Sequence, residues 1–508
     1  MASITPLVFK AAQAVPIVPT TGTVDNSVAK PTKTYEAGAA RRELPRTLMG
    51  GTAAMRDARE KYLPQHPVES SDAYETRLKG AFLYNAFEMT VGAQASKFFA
   101  EPIVLKDDVP PPLKKLCENI DSEGRALTPF CIDLVKEAFV DGVSFLLVDF
   151  PNMFTGATQA DQRAVAARPY WVLIKAEDLI GWRSKDVSGK QTLVQARIKE
   201  NTMVPDGEYA EKVSERIREL VPGAWRVWEK QTDQQDAKIK WVVIQEGTTS
   251  LDYIPMIPLY VNGISHFDGS PPLRSLAEMN QEHWISLSEQ KRALSFARFD
   301  MLVISGVEEA GTGVEVGPNK VLMLPMGAAA TTVTQSGAGI AAGRQDLLDI
   351  EQRMQSAGLE LRVDNAGETT ATAAAIDSDE TNAGLRAVAK NLEDCIEAAL
   401  QFSADYLRLP KGGSVEVNDA FGPNEVPGTA LDITSIKGAG IISTSTAQTE
   451  LKRRGVLGED FDAEKEAALM QDETAQNFQN AMDQQAAFAA ANPQPPPGGP
   501  PPQGNQGA

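Results

Sequence analysis

The stretch from Ser270 to Gly306, SPPLRSLAEMNQEHWISLSEQKRALSFARFDMLVISG, constrains this chain more than any other. Pro271 and Pro272 stand at its start, where a helix has no use for the N–H groups that proline lacks. No Gly or Pro follows from Leu273 to Met301. At about 1.5 Å per residue a helix over this run is roughly 40 Å long. Leu273, Leu276, Trp284, Leu287 and Leu294 recur near helical spacing, while Asn280 and Lys291 interrupt the stripe. Such a stripe predicts a helix that is packed on neighbours and partly wet, not one sealed in a closed core. Its polar residues do not assemble into an enzyme site, and the change into LVISG marks a strand. Two readings fit: a strut in an assembly, or a long surface helix of an ordinary α/β protein.

A chain of 508 residues is too long for one simple core. Its formal net charge of -19 argues against gripping nucleic acid by phosphate neutralisation, which needs clustered Lys and Arg. The same charge suits a surface past which DNA slides without sticking. Cys117, Cys131 and Cys395 are far apart and form no C-x-x-C pair, which predicts reduced thiols in a cytosolic setting. The opening MASITPLVFKAAQAVPIVPT has one basic residue, Lys10, and is broken by Pro16 and Pro19, so it makes a poor signal peptide. No apolar run reaches the length that spans a bilayer. The expectation is a protein made and used in a cytosol and not inserted in a membrane.

Residues 1–40 lack periodicity and read as a mobile arm. Leu78, Phe82, Ala86 and Met89 then fall at i, i+4, i+8 and i+11, the spacing of one buried helix face. Pro110, Pro111 and Pro112 break the chain before a helix at about 128–139, and VSFLLVDF follows as a strand ended by Pro151. Residues 152–168 read as a loop. Residues 169–265 read as mostly β, from PYWVLIK, LVQARIKE, AWRVWEK, KWVVIQE and IPMIPLYV, with a helix inserted at about 208–220. Beyond the long helix come short strands in LVISG, KVLMLP and TTVTQSGAGIAAG. A helix at about 344–361 carries Leu347, Ile350, Met354 and Leu361 on one face. Asp364–Glu368 breaks it, and a helix at about 370–407 has the stripe Leu385, Ala389, Leu392, Ile396, Ala399 and Tyr406. After a β-like piece at Val415–Val417, Ser443 or Thr444 would cap a further helix that Gly455 would end. The Gln-, Ala-, Pro- and Gly-rich tail from about residue 477 cannot bury a core and is expected to be disordered.

Catalytic, cofactor and metal sites are expected to be absent. His66, His266 and His283 stand in unrelated contexts, and the chain has neither H-E-x-x-H nor a phosphate-loop G-x-x-x-x-G-K-[ST] nor a G-x-S-x-G elbow. Gly337–Gly343 opens a helix with spacing G-x-G-x-x-x-G, one residue too long for a dinucleotide turn, and reads better as a flexible turn. Asp377, Asp379 and Glu380 could bind a metal, but the first turns of a helix favour carboxylates for their own sake. Arg344, Arg353 and Arg362 recur every nine residues and are read as sharing one face. That face is ordinarily solvated; on a DNA path it would make weak phosphate contacts.

The order of long helix, glycine-rich β segment, helix, short loop, long helix and polar tail resembles a tailed-bacteriophage portal protein, of the type long catalogued as a domain of unknown function among phage head genes. The resemblance rests on residues 62–99 and 168–183, on the IPLYVNG…DGSPPLRSLAEMN region, on VLMLPMGAAATTVTQSGAGIAAGRQDLLDIEQRMQSAGLEL, and on TTATAAAIDSDETNAGLRAVAKNLEDCIEAAL. It covers roughly residues 50–475.

The resemblance implies an α+β portal fold: a wing at 41–265, stem helix one at 266–301, a β-containing clip at 302–343, and stem helix two at 344–362. It further implies a tunnel loop at 363–371, a long wing helix at 372–410, a wing return at 411–442 and crown helices at 443–476. The tail would be 477–508. Asp364, Asn365, Ala366, Gly367 and Glu368 become tunnel-loop residues, and Arg344, Arg353 and Arg362 become channel-facing ones. The implied assembly is a homo-oligomeric ring, normally a dodecamer, at one capsid vertex of the virion, built in the host cytoplasm. Its implied partners are the terminase large subunit, the major capsid or scaffolding protein, the head-tail adaptor, and double-stranded DNA held weakly and non-specifically. Ring subunits meet through unlike faces, which would account for the polar gaps of the first helix. The alternatives are another head structural protein, such as an adaptor or minor capsid protein, or a soluble nucleotide-binding α/β enzyme using Gly337–Gly343.

Overall fold

Thr32 accepts a hydrogen bond from the Tyr35 N–H, 3.4 Å, and this cap starts the first helix. In the computed structural model the described residues are 22–151, 167–232, 238–298, 301–305, 329–333, 337–359, 371–419 and 430–453, with short stretches between and after them. The segment KVLMLP, the expected tunnel loop up to residue 370, Leu361, Gly455 and most of the tail lie outside them. The chain divides into two units, residues 1–421 and 422–508.

In the first unit the helices are α1 (Lys33–Met49), α2 (Gly51–Asp57), α3 (Ser71–Gly80), α4 (Ala86–Lys97), α5 (Pro111–Leu116), α6 (Leu127–Asp141), α7 (Arg274–Arg298), α8 (Gly337–Leu359) and α9 (Ala371–Leu407). The strands are β1 (Val104–Leu105), β2 (Val143–Asp149), β3 (Tyr170–Ile174), β4 (Leu179–Val187), β5 (Lys190–Asp206), β6 (Ala210–Val221), β7 (Ala224–Thr232), β8 (Ile239–Thr248) and β9 (Met256–Tyr260). Short strands β10 (Gly263–Ser265) and β11 (Asp268–Gly269) pair, as do β12 (Met301–Ser305) with β13 (Ala329–Val333) and β1 with β14 (Val415–Glu416). In the second unit α10 (Ala430–Gly438) packs against α11 (Thr444–Arg453), whose Thr446 N–H is capped by Ser443 Oγ at 3.1 Å. The result is a mixed α+β protein.

Two antiparallel sheets organise the first unit, one in the order β3-β2-β9 and one in the order β4-β5-β6-β7-β8. Apart from Ser144 and the terminal Asp149, strand β2 is apolar, because both of its faces are buried. Val143, Phe145 and Leu147 turn toward Ala196 and Ile198 of the larger sheet, while Leu146 and Val148 turn toward a helical core containing Phe130, Leu276 and Ile396. Gly142 ends α6 with φ +83, and a Cβ there would sit 2.1 Å from the Ser270 carbonyl oxygen, so only glycine fits.

Three expectations change. Residues 22–40, placed in a mobile arm, are built into the fold. The Gly22 N–H bonds Val243 O and the Asp25 N–H bonds Trp241 O, each at 3.1 Å, and the Thr32 N–H bonds Ile180 O at 3.0 Å. The segment therefore crosses the larger sheet from β8 to β4 as a strap. Val28 is buried against Ile217 and Trp228, and Arg197 donates to the carbonyls of Val28 and Lys30.

The helix expected at 208–220 is strand β6. Its charges alternate and pair across strands, Lys230 with Glu215 at 2.7 Å and Arg216 with Glu229 at 3.1 Å, so the polar pattern has period two. The single helix face of Leu78, Phe82, Ala86 and Met89 is split between α3 and α4: Leu78 is buried, but Phe82 is 54% and Met89 63% exposed. Asn85 interrupts the run by capping α4, its Oδ1 accepting from the Glu88 N–H at 3.3 Å.

Candidate functional site

The long helix of the sequence is α7, and α8 runs antiparallel against it: His283 meets Glu351 at 3.1 Å, and Gln290 Nε2 donates to the Ile340 carbonyl at 2.8 Å. The strands β12 and β13 continue the pair as a two-stranded ribbon, with Met301 opposite Val333 and Ser305 opposite Ala329. Helix α7 is sunk in the core over its first half, where Leu276, Ala277, Asn280, His283, Trp284 and Ser288 are buried. Beyond Ser288 none of its described residues is buried: this outer half pairs with α8 and meets the body at Glu69, through Arg292, and at Phe82, through Lys291. This arm is the candidate site.

Asn280, expected to face a channel or neighbour, instead lies wholly inside. Its Oδ1 accepts from the Phe87 N–H at 3.0 Å and its Nδ2 donates to the Tyr84 carbonyl at 2.7 Å, so it serves the start of α4. Lys291 is exposed and stands 5.5 Å from the Phe82 ring. Glu69, buried at the side of α7, accepts from Arg77 at 2.9 Å and from Arg292 at 3.0 Å. Those two guanidinium groups and the His66 N–H hold its carboxyl below the usual carboxylate range, with the Arg77 hydrogen bond the largest cause.

On α8, Leu347, Ile350 and Met354 are buried, as their spacing predicts. The helix begins at Gly337, seven residues earlier than expected, so Gly337–Gly343 is helical and its backbone forms no phosphate-cradling turn. Gly343 makes room for Gln290, whose Oε1 would lie 2.2 Å from a Cβ at that position. Arg344 and Arg353, read as one face, stand on opposite sides, because nine residues make about two and a half turns. Arg353 reaches Glu282 on α7 at 3.4 Å. Arg344 is exposed. Arg362 and the five loop residues Asp364–Glu368 lie outside the described residues, as do the side chains of Asp377, Asp379 and Glu380.

A second polar cluster lies where the larger sheet meets β2 and β3 of the smaller one. Asp149 accepts from Tyr170 Oη at 2.9 Å and pairs with Arg218, which also faces Glu200 at 2.9 Å. Burial, then the Asp149 charge, raises the Tyr170 hydroxyl, and burial raises Glu200. A small cavity opens beside them, lined in part by Trp225, Tyr253 and Tyr406. Its ionic groups already answer one another, so the cluster clamps the sheet to the core. The three cysteines are buried, and burial pushes the Cys117 and Cys395 thiols up to about 12.

Residues 272–407 match the family described as a domain of unknown function (DUF4055). That match spans α7, the ribbon, α8 and α9, which is the arm together with the helix that returns from it. The solved structures to which the chain is similar include the virion of a native gene transfer agent (GTA) particle, at 13% identity over 78% of this chain and 98% of that one, with a TM-score of 0.35. They also include the neck of a native GTA particle computed with C12 symmetry, at 13% identity, over 78% of this chain and 98% of that one, with a TM-score of 0.34. At such scores the likeness carries no argument about this chain. No curated protein matches it. Among the described residues no helix is long and apolar enough to cross a membrane.

The sequence signals for the arm were its length and its stripe. The roles of Asn280, Glu69 and the strap carried no such signal, because each depends on a partner distant in the chain.

Proposed function

We propose that this chain is a structural subunit of a tailed-phage head, a portal protein whose copies close into a ring at one capsid vertex. The observation that carries the reading is the arm: two antiparallel helices rooted in an α+β body, ending in a β ribbon, and followed by the 37-residue helix α9 that runs back through the core. In this reading α7 and most of α8 are the stem, residues 302–343 form the clip, which takes in the first turns of α8, and residues 363–371 form the tunnel loop. Helix α9 belongs to the wing, and α10 and α11 lie in the wing return and the crown.

The role is mechanical. The ring docks the terminase motor, passes double-stranded DNA in and out, and joins head to tail through an adaptor, without hydrolysing nucleotide itself. A formal charge of -19 per copy favours sliding over sticking, since tight phosphate neutralisation would oppose movement. The enzyme alternative loses its main support with Gly337–Gly343 inside a helix.

Purified protein is expected to form rings without nucleotide, and negative-stain class averages should display a stemmed ring with an axial hole. Monomers alone across a broad concentration range in mass photometry would overturn the reading. A ring without a stem would favour an adaptor or minor capsid protein.

A further inference from the structure

Two contacts fix the two flanks of the arm. The His283–Glu351 contact ties one flank of α8 to the link between α3 and α4, because Tyr84 of that link lies 5.6 Å from the His283 ring. The Arg353–Glu282 pair ties down the other. Seven residues return a helix to nearly the same side, so Arg344 shares the flank of Glu351, and Asp346 that of Arg353. Leu348, about one turn beyond Arg344, falls on the first flank.

The first flank is apolar and basic. Leu348 is 47% exposed on it; Phe82 and Tyr84 of the link are exposed beside Lys291 and His283, and Met89 is exposed on α4, which packs against α8. Its charges are the exposed Lys291, over Phe82, and Arg344. The second flank is acidic: Asp346 and Asp349 are exposed there, as is Glu289 on α7, which lies 3.6 Å from His66. Arg353 is answered by Glu282 across the helix pair, and on the first flank Lys291 and Arg344 outnumber Glu351, which is set against His283.

We propose that the flank bearing Lys291, Arg344, Phe82, Met89 and Leu348 receives the flank bearing Asp346, Asp349 and Glu289 of a second copy of this chain. The proposal rests on the ring reading and names the surfaces by which the copies join. Opposite charges on opposite flanks of one arm suit a head-to-tail contact, because each copy then offers both halves of the interface. A two-fold contact would set like charges against each other. The contact would also cover Phe82 and Met89, large apolar side chains that one copy leaves in water. On this account Arg344 is a subunit-joining residue.

Charge reversal tests the pairing. One variant carries Lys291→Glu and Arg344→Glu; a second carries Asp346→Lys and Asp349→Lys. Each alone is expected to lose the ring in mass photometry at concentrations where the unaltered chain forms it. Circular dichroism and melting should be unchanged, because all four side chains are exposed. Mixing the two variants, or placing all four changes in one chain, is expected to restore rings. Should a reversed chain fold poorly, Lys291→Gln with Arg344→Gln gives a smaller loss in the same direction. Rings from either reversed variant alone, or no rescue on mixing, would overturn this contact and leave the ring reading standing. Failure of the unaltered chain to form rings would instead overturn the ring reading itself.

Discussion

Asp178 is half-buried beside Glu177, and burial, followed by its neighbour's charge, pushes its carboxyl up to about 6 from an ordinary 3.8. A carboxyl raised in the fold binds its proton more tightly there than in the unfolded chain. Its ionised form therefore opposes folding above about pH 6, and the penalty fades as pH falls toward 4. Asp178→Asn removes the charge and keeps the shape. The variant is expected to be more stable at pH 7.5 by about 1 kcal/mol, after discounting for solvent screening. The gap should close near pH 4, as read by urea unfolding at the two pH values. A constant gap across that range would assign the effect to something other than titration.

Asn280 illustrates what sequence periodicity can and cannot say about an element. Its place in the stripe of α7 was legible, but a stripe marks a polar residue as a gap without saying what fills it. The filling comes from the backbone of Tyr84 and Phe87, almost two hundred residues earlier. Asn280→Ala should leave the buried Phe87 N–H without that partner and open a small cavity. We expect a loss of roughly 2–4 kcal/mol in urea unfolding, because both the orphaned group and the void are costly. The helices α6, α7, α8 and α9 and most strands were readable because each buries a regular stripe or an apolar run. Strand β6 was not, since Val213, Ile217 and Leu220 fall at helical spacing and its charges pair only once β5 and β7 lie beside it. The break between α3 and α4 was also hidden, because FLYNAF continues a helical spacing that the Asn85 cap cuts short.

Across the whole molecule, the tunnel-loop assignment separates assembly from packaging. Deleting residues 363–371 is expected to leave ring formation unchanged in mass photometry and to impair DNA packaging. Loss of rings on deletion would show that the segment serves assembly instead. The strap at residues 22–32 has a consequence in time. Its partners on β4 and β8 lie some 150 to 220 residues further along the chain. At about 5–20 residues per second, a ribosome needs roughly 10–40 seconds between releasing the strap and completing the sheet it covers. Throughout that interval Val28 of the strap waits without the Ile217 and Trp228 side chains that will bury it, so early synthesis is when this chain most needs protection from its neighbours.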